Sequence, residues 1–272
     1  MERFAHVPWW PLGDVGQFRD AVQNWLAHNW STEITVREWW RRLAHSGLAV
    51  PTWDRAHGGL GATTSVQSIV EQELASVGAI APPSTHESIH VVGPAPRQFA
   101  TDEQLNALMP AMLEGTDLWA LLLFDPDTTD ATATECRADL DWKSVTVSGT
   151  KQCKQHSADR GLLLARTSGG GEDGLTWLLI DVDNAACTLH DGVMRLAPMR
   201  MTRDRLLGQP DDGWPIVRTL LPYLDHSLTG RIRRGLVSVL PGRRAGNLDR
   251  TVADVLAEHR DAQPPTEERR RR

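Results

Sequence analysis

No run of apolar residues in this sequence reaches the roughly 18 that a helix needs to cross a bilayer, so no membrane span is expected. Cysteine is scarce. Cys136, Cys153 and Cys187 are odd in number and far apart, with no C-x-x-C pair, which argues against a disulfide framework and against a zinc site. The opening M-E-R-F-A-H-V-P-W-W has no basic stretch followed by an apolar one, so it does not read as a secretory leader. A reduced, cytoplasmic protein is the expectation. Lysine is nearly absent as well: 26 arginines stand against 3 lysines, which we read as codon bias rather than function.

What is present is enough chain, at 272 residues, for a sizeable core and more than one structural unit. The formal net charge of −6 is unevenly spread. From Arg231 onward 11 arginines face 6 acidic residues, a balance of +5 that leaves −11 for the rest. The basic end, E-E-R-R-R-R, reads as a solvated terminus, because no aromatic residues interleave with its arginines as nucleic-acid binding favours. His86 and His90 have the i, i+4 spacing of a metal pair but no third ligand in sight, so no metal is expected. The G-G-G at 169–171 reads as a hairpin loop, since no helix start follows to make a phosphate cradle.

Residues 1–116 read as helical. T-V-R-E (Thr35 to Glu38) and T-D-E-Q (Thr101 to Gln104) have capping-box spacing, and Gly47 stands where a helix-ending glycine belongs. Between Ser65 and Gly78, the residues Val66, Ile69, Val70, Leu74 and Val77 form one apolar stripe at helical spacing. From Trp119 the period changes. W-A-L-L-L-F, S-V-T-V-S-G, G-L-L-L-A-R and L-T-W-L-L-I-D-V are short, β-rich and bounded by turn residues, so 117–210 reads as a small sheet or barrel. A helical segment is expected over 211–260, kinked at Pro222 and ending in a weak helix, D-R-T-V-A-D-V-L-A-E-H, before a charged tail at 261–272.

The order of these units, and the strings within them, resemble the acyl-CoA dehydrogenase family. The strings are P-T-W-D-R-A-H-G-G-L-G, I-V-E-Q-E-L-A, F-A-T-D-E-Q, P-A-M-L-E-G-T-D-L-W, V-S-G-T-K, A-D-R-G-L-L-L-A-R-T and D-R-L-L-G-Q-P-D-D-G-W, spread from about Phe18 to Asp225. The resemblance implies an α+β fold: a helical N-terminal domain, a β middle domain and a C-terminal helical segment, shortened here because the sequence stops at Arg272.

It also implies a flavin cofactor, FAD, and two stretches that should hold it. The first is the segment after V-x-G-x-K, where the family carries a Trp that packs on the flavin and then a Thr or Ser that hydrogen-bonds it. Those places fall on Cys153 and Lys154, a thiol in place of a flat aromatic face and an ammonium in place of a hydroxyl. The second is a loop like T-E-P-G-A-G-S-D, here F-D-P-D-T-T-D from Phe124 to Asp130 and one residue shorter. Anchored on Pro126, it puts Phe124 at the Thr, Asp127 at a lost glycine, and Thr129 and Asp130 at the Ser-Asp pair that would face flavin and thioester. The family's catalytic glutamate position falls on Leu224, with Asp225 one residue on as a candidate base that could pair with His226.

The expectation from this pattern is a subunit for α,β-dehydrogenation of an acyl-CoA thioester in lipid or steroid breakdown. It would need a homologous full-length chain as partner in a hetero-oligomer. A non-catalytic module on the same fold, binding an acyl thioester or a protein, is the alternative.

Overall fold

The computed structural model describes residues 7–224 and 236–262. Helix α1 (Val15–Asn29) begins at Asp14, whose side chain accepts the Gln17 amide, and buries Phe18, Val22 and Leu26 on one face. Helix α2 (Val36–Ser46) begins at Thr35 and ends at Gly47, which takes the left-handed conformation (φ 79°) expected of a helix-terminating glycine. Only half the predicted capping box forms there. Thr35 accepts from the Glu38 amide, while the Glu38 carboxylate turns to Arg41 and Arg42 instead of back to the cap. Trp39 and Trp40 are fully buried, and their indole N–H groups donate to Ile80 and Ala81 carbonyls at 2.8 and 2.9 Å. Helix α3 (Thr64–Ser76) buries Val66, Ile69, Val70 and Leu74 as its stripe predicts. Val77 departs from that stripe: it caps the helix and is 42% exposed.

Short helices α4 (Glu87–Val92) and α5 (Pro94–Phe99) lead to α6 (Asp102–Leu113), where Thr101 and Gln104 make the complete capping box. Strands β1 (Trp119–Leu122), β2 (Arg137–Leu140), β3 (Ser144–Gln152), β4 (Arg160–Arg166), β5 (Leu175–Asp181), β6 (Cys187–His190), β7 (Val193–Thr202) and β8 (Leu206–Leu207) follow. They form one sheet in the order β6-β7-β3-β2-β4-β5-β8, with β1 added parallel to β4. Alternation along β4 divides two cores. Leu162 and Leu164 face the helices, meeting Ile89, Met109 and Met112, whereas Leu163 and Ala165 face an interior shared with Val145, Val147 and Leu178. The sheet is therefore apolar on both faces.

Helix α7 (Trp214–Leu220) gives way to a 3₁₀ turn over Leu221–Tyr223 that contains Pro222, the predicted kink. Helix α8 (Val252–Ala262) covers the predicted last helix. The 211–260 range is divided between two cores. Ile216, Val217 and Leu220 join the helix–sheet core, while Val239, Leu248, Val252 and Val255 pack with Phe18, Trp39 and Leu43 of the N-terminal helices.

Candidate functional site

The two stretches singled out in the sequence lie side by side. The 124–130 loop leaves the end of β1, and the end of β3 runs against it. The Gln152 amide donates to the Phe124 carbonyl at 2.8 Å, and its side chain donates to the carbonyls of Asp125 (3.0 Å) and Thr128 (3.2 Å). Beneath them sits Lys151, the lysine of V-S-G-T-K, with no exposed surface. Its ammonium donates to the Leu123 carbonyl (3.0 Å) and to the Thr134 hydroxyl (2.7 Å), and pairs with Asp125 at 2.7 Å. Asp125 also accepts from the Thr134 hydroxyl at 3.0 Å and the Glu135 amide at 2.6 Å. Burial lowers the Lys151 ammonium from its usual range even with Asp125 beside it. Burial alone would raise the Asp125 carboxyl, but its hydrogen bonds from Lys151, Glu135 and Thr134 bring it below its ordinary value. This pair is a structural lock that fixes the loop to β3.

Strand alternation continues past the lock and decides where each side chain goes. Lys151 and Cys153 point inward. Cys153 is 3% exposed and packs in the sheet interior, and burial raises its thiol pKa, keeping it neutral. Gln152 and Lys154 point the other way, into a cavity of about 80 Å³ lined also by Val91, Leu121, Leu123, Phe124, Gln155 and Leu224. The fold thus brings together Phe124, Lys154 and the Leu224 position, from three separate segments. Thr129 and Asp130 lie outside that lining, exposed on the loop, where Asp130 accepts the Thr132 amide (2.8 Å) and hydroxyl (2.7 Å). Those bonds hold the Asp130 carboxyl below its usual range. Asp225 lies outside the described residues.

Sequence reasoning missed Gln152, Gln155, Val91, Leu121 and Leu123 as cavity residues. The signal for Gln152 was available: a strand that buries Lys151 must turn 152 to the opposite face.

Other sequence candidates resolve plainly. His90 packs edge-on to Tyr223 with ring centroids 5.6 Å apart, and among the described residues no group of three His, Cys, Asp or Glu could hold a metal. The glycine run is a β4–β5 hairpin loop, pinned by the Arg166 guanidinium donating to the carbonyls of Gly171 (3.1 Å) and Asp173 (2.8 Å). A larger groove of about 540 Å³ beside α6 exposes Arg160, Arg203 and Arg205, but Asp117 and Asp181 already pair with Arg160 and Asp181 with Arg205.

Comparison with known proteins places this architecture. The profile for the acyl-CoA dehydrogenase N-terminal domain matches residues 15–116, the span from α1 through α6. This match supports the resemblance to the acyl-CoA dehydrogenase family for the helical N-terminal unit. The acyl-CoA dehydrogenase IpdE1 of Mycobacterium tuberculosis is 27% identical over 245 residues, covering 78% of this chain and 63% of IpdE1. IpdE1 of Mycolicibacterium smegmatis is 23% identical over 252 residues, covering 77% and 64% respectively. The chain spans less than two thirds of the length of these curated acyl-CoA dehydrogenases. Among solved structures, the ChsE4-ChsE5 complex from Mycobacterium tuberculosis shares the fold at TM-score 0.59 and 21% identity, covering 80% of this chain and 61% of that one. The Tcur3481-Tcur3483 steroid ACAD does so at TM-score 0.61 and 20% identity, covering 92% and 68%.

The resemblance to acyl-CoA dehydrogenases implies FAD, and the residues here do not fit a flavin ring. Ligand pockets run to about 300–1,000 Å³, against about 80 Å³ at this cavity. Phe124 and Leu224 take up its walls, Lys154 brings a charge, and the one position aligned with the family's indole turns its thiol away. No carboxylate stands among the cavity's described lining residues to act as a base.

Proposed function

We propose that this chain is a subunit of a heteromeric acyl-CoA dehydrogenase, and that the α,β-dehydrogenation of the acyl-CoA thioester takes place at a site supplied mainly by a homologous full-length partner. The observation that carries the reading is the narrow cavity at Phe124, Lys154 and Leu224, which lacks both room for a flavin and a described carboxylate. Around it the scaffold is intact: the capped α6, the Lys151–Asp125 lock and the β-sheet. A chain that keeps the scaffold and closes the redox slot suits a supporting role. The solved complexes ChsE4-ChsE5 and Tcur3481-Tcur3483 are each named for two proteins, which supports a two-chain assembly, and the latter's name supports a steroid-derived acyl group. Cys136, Cys153 and Cys187 are free thiols, which suits a reducing cytoplasm. On this reading Thr129 and Asp130, which lie outside the cavity lining, and Asp225 carry no step of the reaction.

Co-expression with a full-length acyl-CoA dehydrogenase from the same organism tests this. A stable complex carrying fewer flavins than chains, active on an acyl-CoA with a dye acceptor, is the expected result. A chain that stays monomeric beside such partners and oxidises acyl-CoA by itself refutes it. Binding of acyl-CoA by the lone chain, without partner or flavin, would favour a non-catalytic thioester-binding module instead.

A further inference from the structure

A second cavity, of about 270 Å³, lies in the helical unit and shares no lining residue with the one at Phe124. Its walls include Pro51, Trp53, Glu71, His90, Arg97 and Tyr223. Arg97, on α5, stacks its guanidinium over the Trp53 indole, 4.4 Å from the ring centroid. A guanidinium laid on an aromatic face presents its N–H fork at the edge, away from the ring. Asp54 approaches one end of that fork only to 3.9 Å and is itself largely exposed. The Nε atom is buried and has no hydrogen-bond partner. A buried charged donor left unmet is costly, and the terminal N–H groups of the same guanidinium belong to a side chain that lines an open cavity.

The rest of the lining narrows what could meet it. Leu48, Pro51, Val70 and the Trp53 ring provide apolar wall for a compact hydrocarbon body. Glu71, hydrogen-bonded by Gln67 at 2.8 Å, adds an acidic group to the same lining. With an acid and an arginine in one lining, a phosphate dianion is opposed more strongly than a guest with a single negative charge. We infer that this cavity is a binding site for a small organic carboxylate, its anionic end taken by the Arg97 fork and its body held against Trp53. The site stands apart from the dehydrogenase reading, since it needs neither flavin nor partner. A carboxylate on the two terminal N–H groups of Arg97 makes a bidentate pair of the kind that guanidinium geometry favours.

Calorimetric titration of the full chain with benzoate, benzamide and inorganic phosphate tests the assignment. Benzoate should bind, while its neutral isostere benzamide and phosphate should each bind at least about tenfold more weakly, as befits a charge-assisted hydrogen bond. Arg97→Gln should weaken benzoate by about tenfold or more, and Arg97→Lys, which keeps the charge and loses the fork, should fall between. Circular dichroism and melting establish that each variant is folded. If Arg97→Gln does not fold, the three ligands on the unaltered chain and the Arg97→Lys variant decide. The inference is overturned if benzoate does not bind, if benzamide or phosphate binds as well, or if a folded Arg97→Gln protein binds benzoate unchanged.

Discussion

Asp127 holds a left-handed backbone conformation (φ 62°) at the position where the family loop has glycine. Asp tolerates this conformation better than most side chains. Asp127→Gly should leave the urea midpoint nearly unchanged, whereas Asp127→Val should destabilise by about 1–2 kcal/mol. Cys153 carries a sharper consequence. Because it faces the sheet interior, Cys153→Trp does not rebuild an aromatic wall for a flavin. It overpacks the core, with a loss of about 1–3 kcal/mol and no gain in flavin binding. At the lock, removing one partner leaves the other buried and unpaired, so Lys151→Met should cost about 3–5 kcal/mol. Asp125 sets the acid limb of stability. Its folded pKa lies below the ordinary 3.8, so its contribution is complete above that value and is lost as pH falls through the lower, folded one. Asp125→Asn should therefore flatten the acid limb of a stability-versus-pH curve. An acid limb as steep as in the unaltered protein would contradict the role given to this pair.

Strands β1, β4 and β5 were legible because they are nearly continuous apolar runs, and β3 because its valines alternate with polar residues. Strands β2, β6 and β7 were not. R-A-D-L and C-T-L-H are four residues each with exposed polar side chains, and V-M-R-L-A-P-M-R-M-T contains Pro198, which argues against a strand. The structure shows why proline is tolerated. The β3–β7 register jumps between Val147↔Met199 and Gly149↔Leu196, so Ala197 and Pro198 together oppose Ser148 in a bulge, where the missing N–H is not needed. Gly149 sits beside that bulge at φ 144°, and a Cβ there would lie 2.7 Å from the Cys136 backbone. Gly149→Ala should lower stability by about 1–3 kcal/mol in a denaturant titration, which is the physical reason for the glycine in V-S-G-T-K. The site was legible in the same partial way. Motif order led to Phe124 and Lys154, while the face that each β3 residue presents required the strand period, which the motif alignment ignored.

Across the molecule, residues 236–262 return to the N-terminal helices. The amides of Val36 and Arg37 donate to the carbonyls of Arg250 (3.0 Å) and Leu248 (2.8 Å), and the Gly242 amide donates to Gly115 at 2.8 Å. Arg243 reaches the buried carboxylates of Asp117 and Asp159, at 3.3 and 3.6 Å. This segment therefore completes the helical core, and Leu248→Ala should cost about 2–5 kcal/mol and speed hydrogen exchange at the Val36 and Arg37 amides. None of this was legible in sequence, because a short helix carries no mark of which distant surface it covers. The central claim concerns the slot at Phe124, Lys154 and Leu224, and the most direct measurement is the flavin content of the purified chain after saturation with FAD, read from its visible absorbance. The account predicts a colourless protein with no bound flavin. One tightly bound flavin per chain would contradict it.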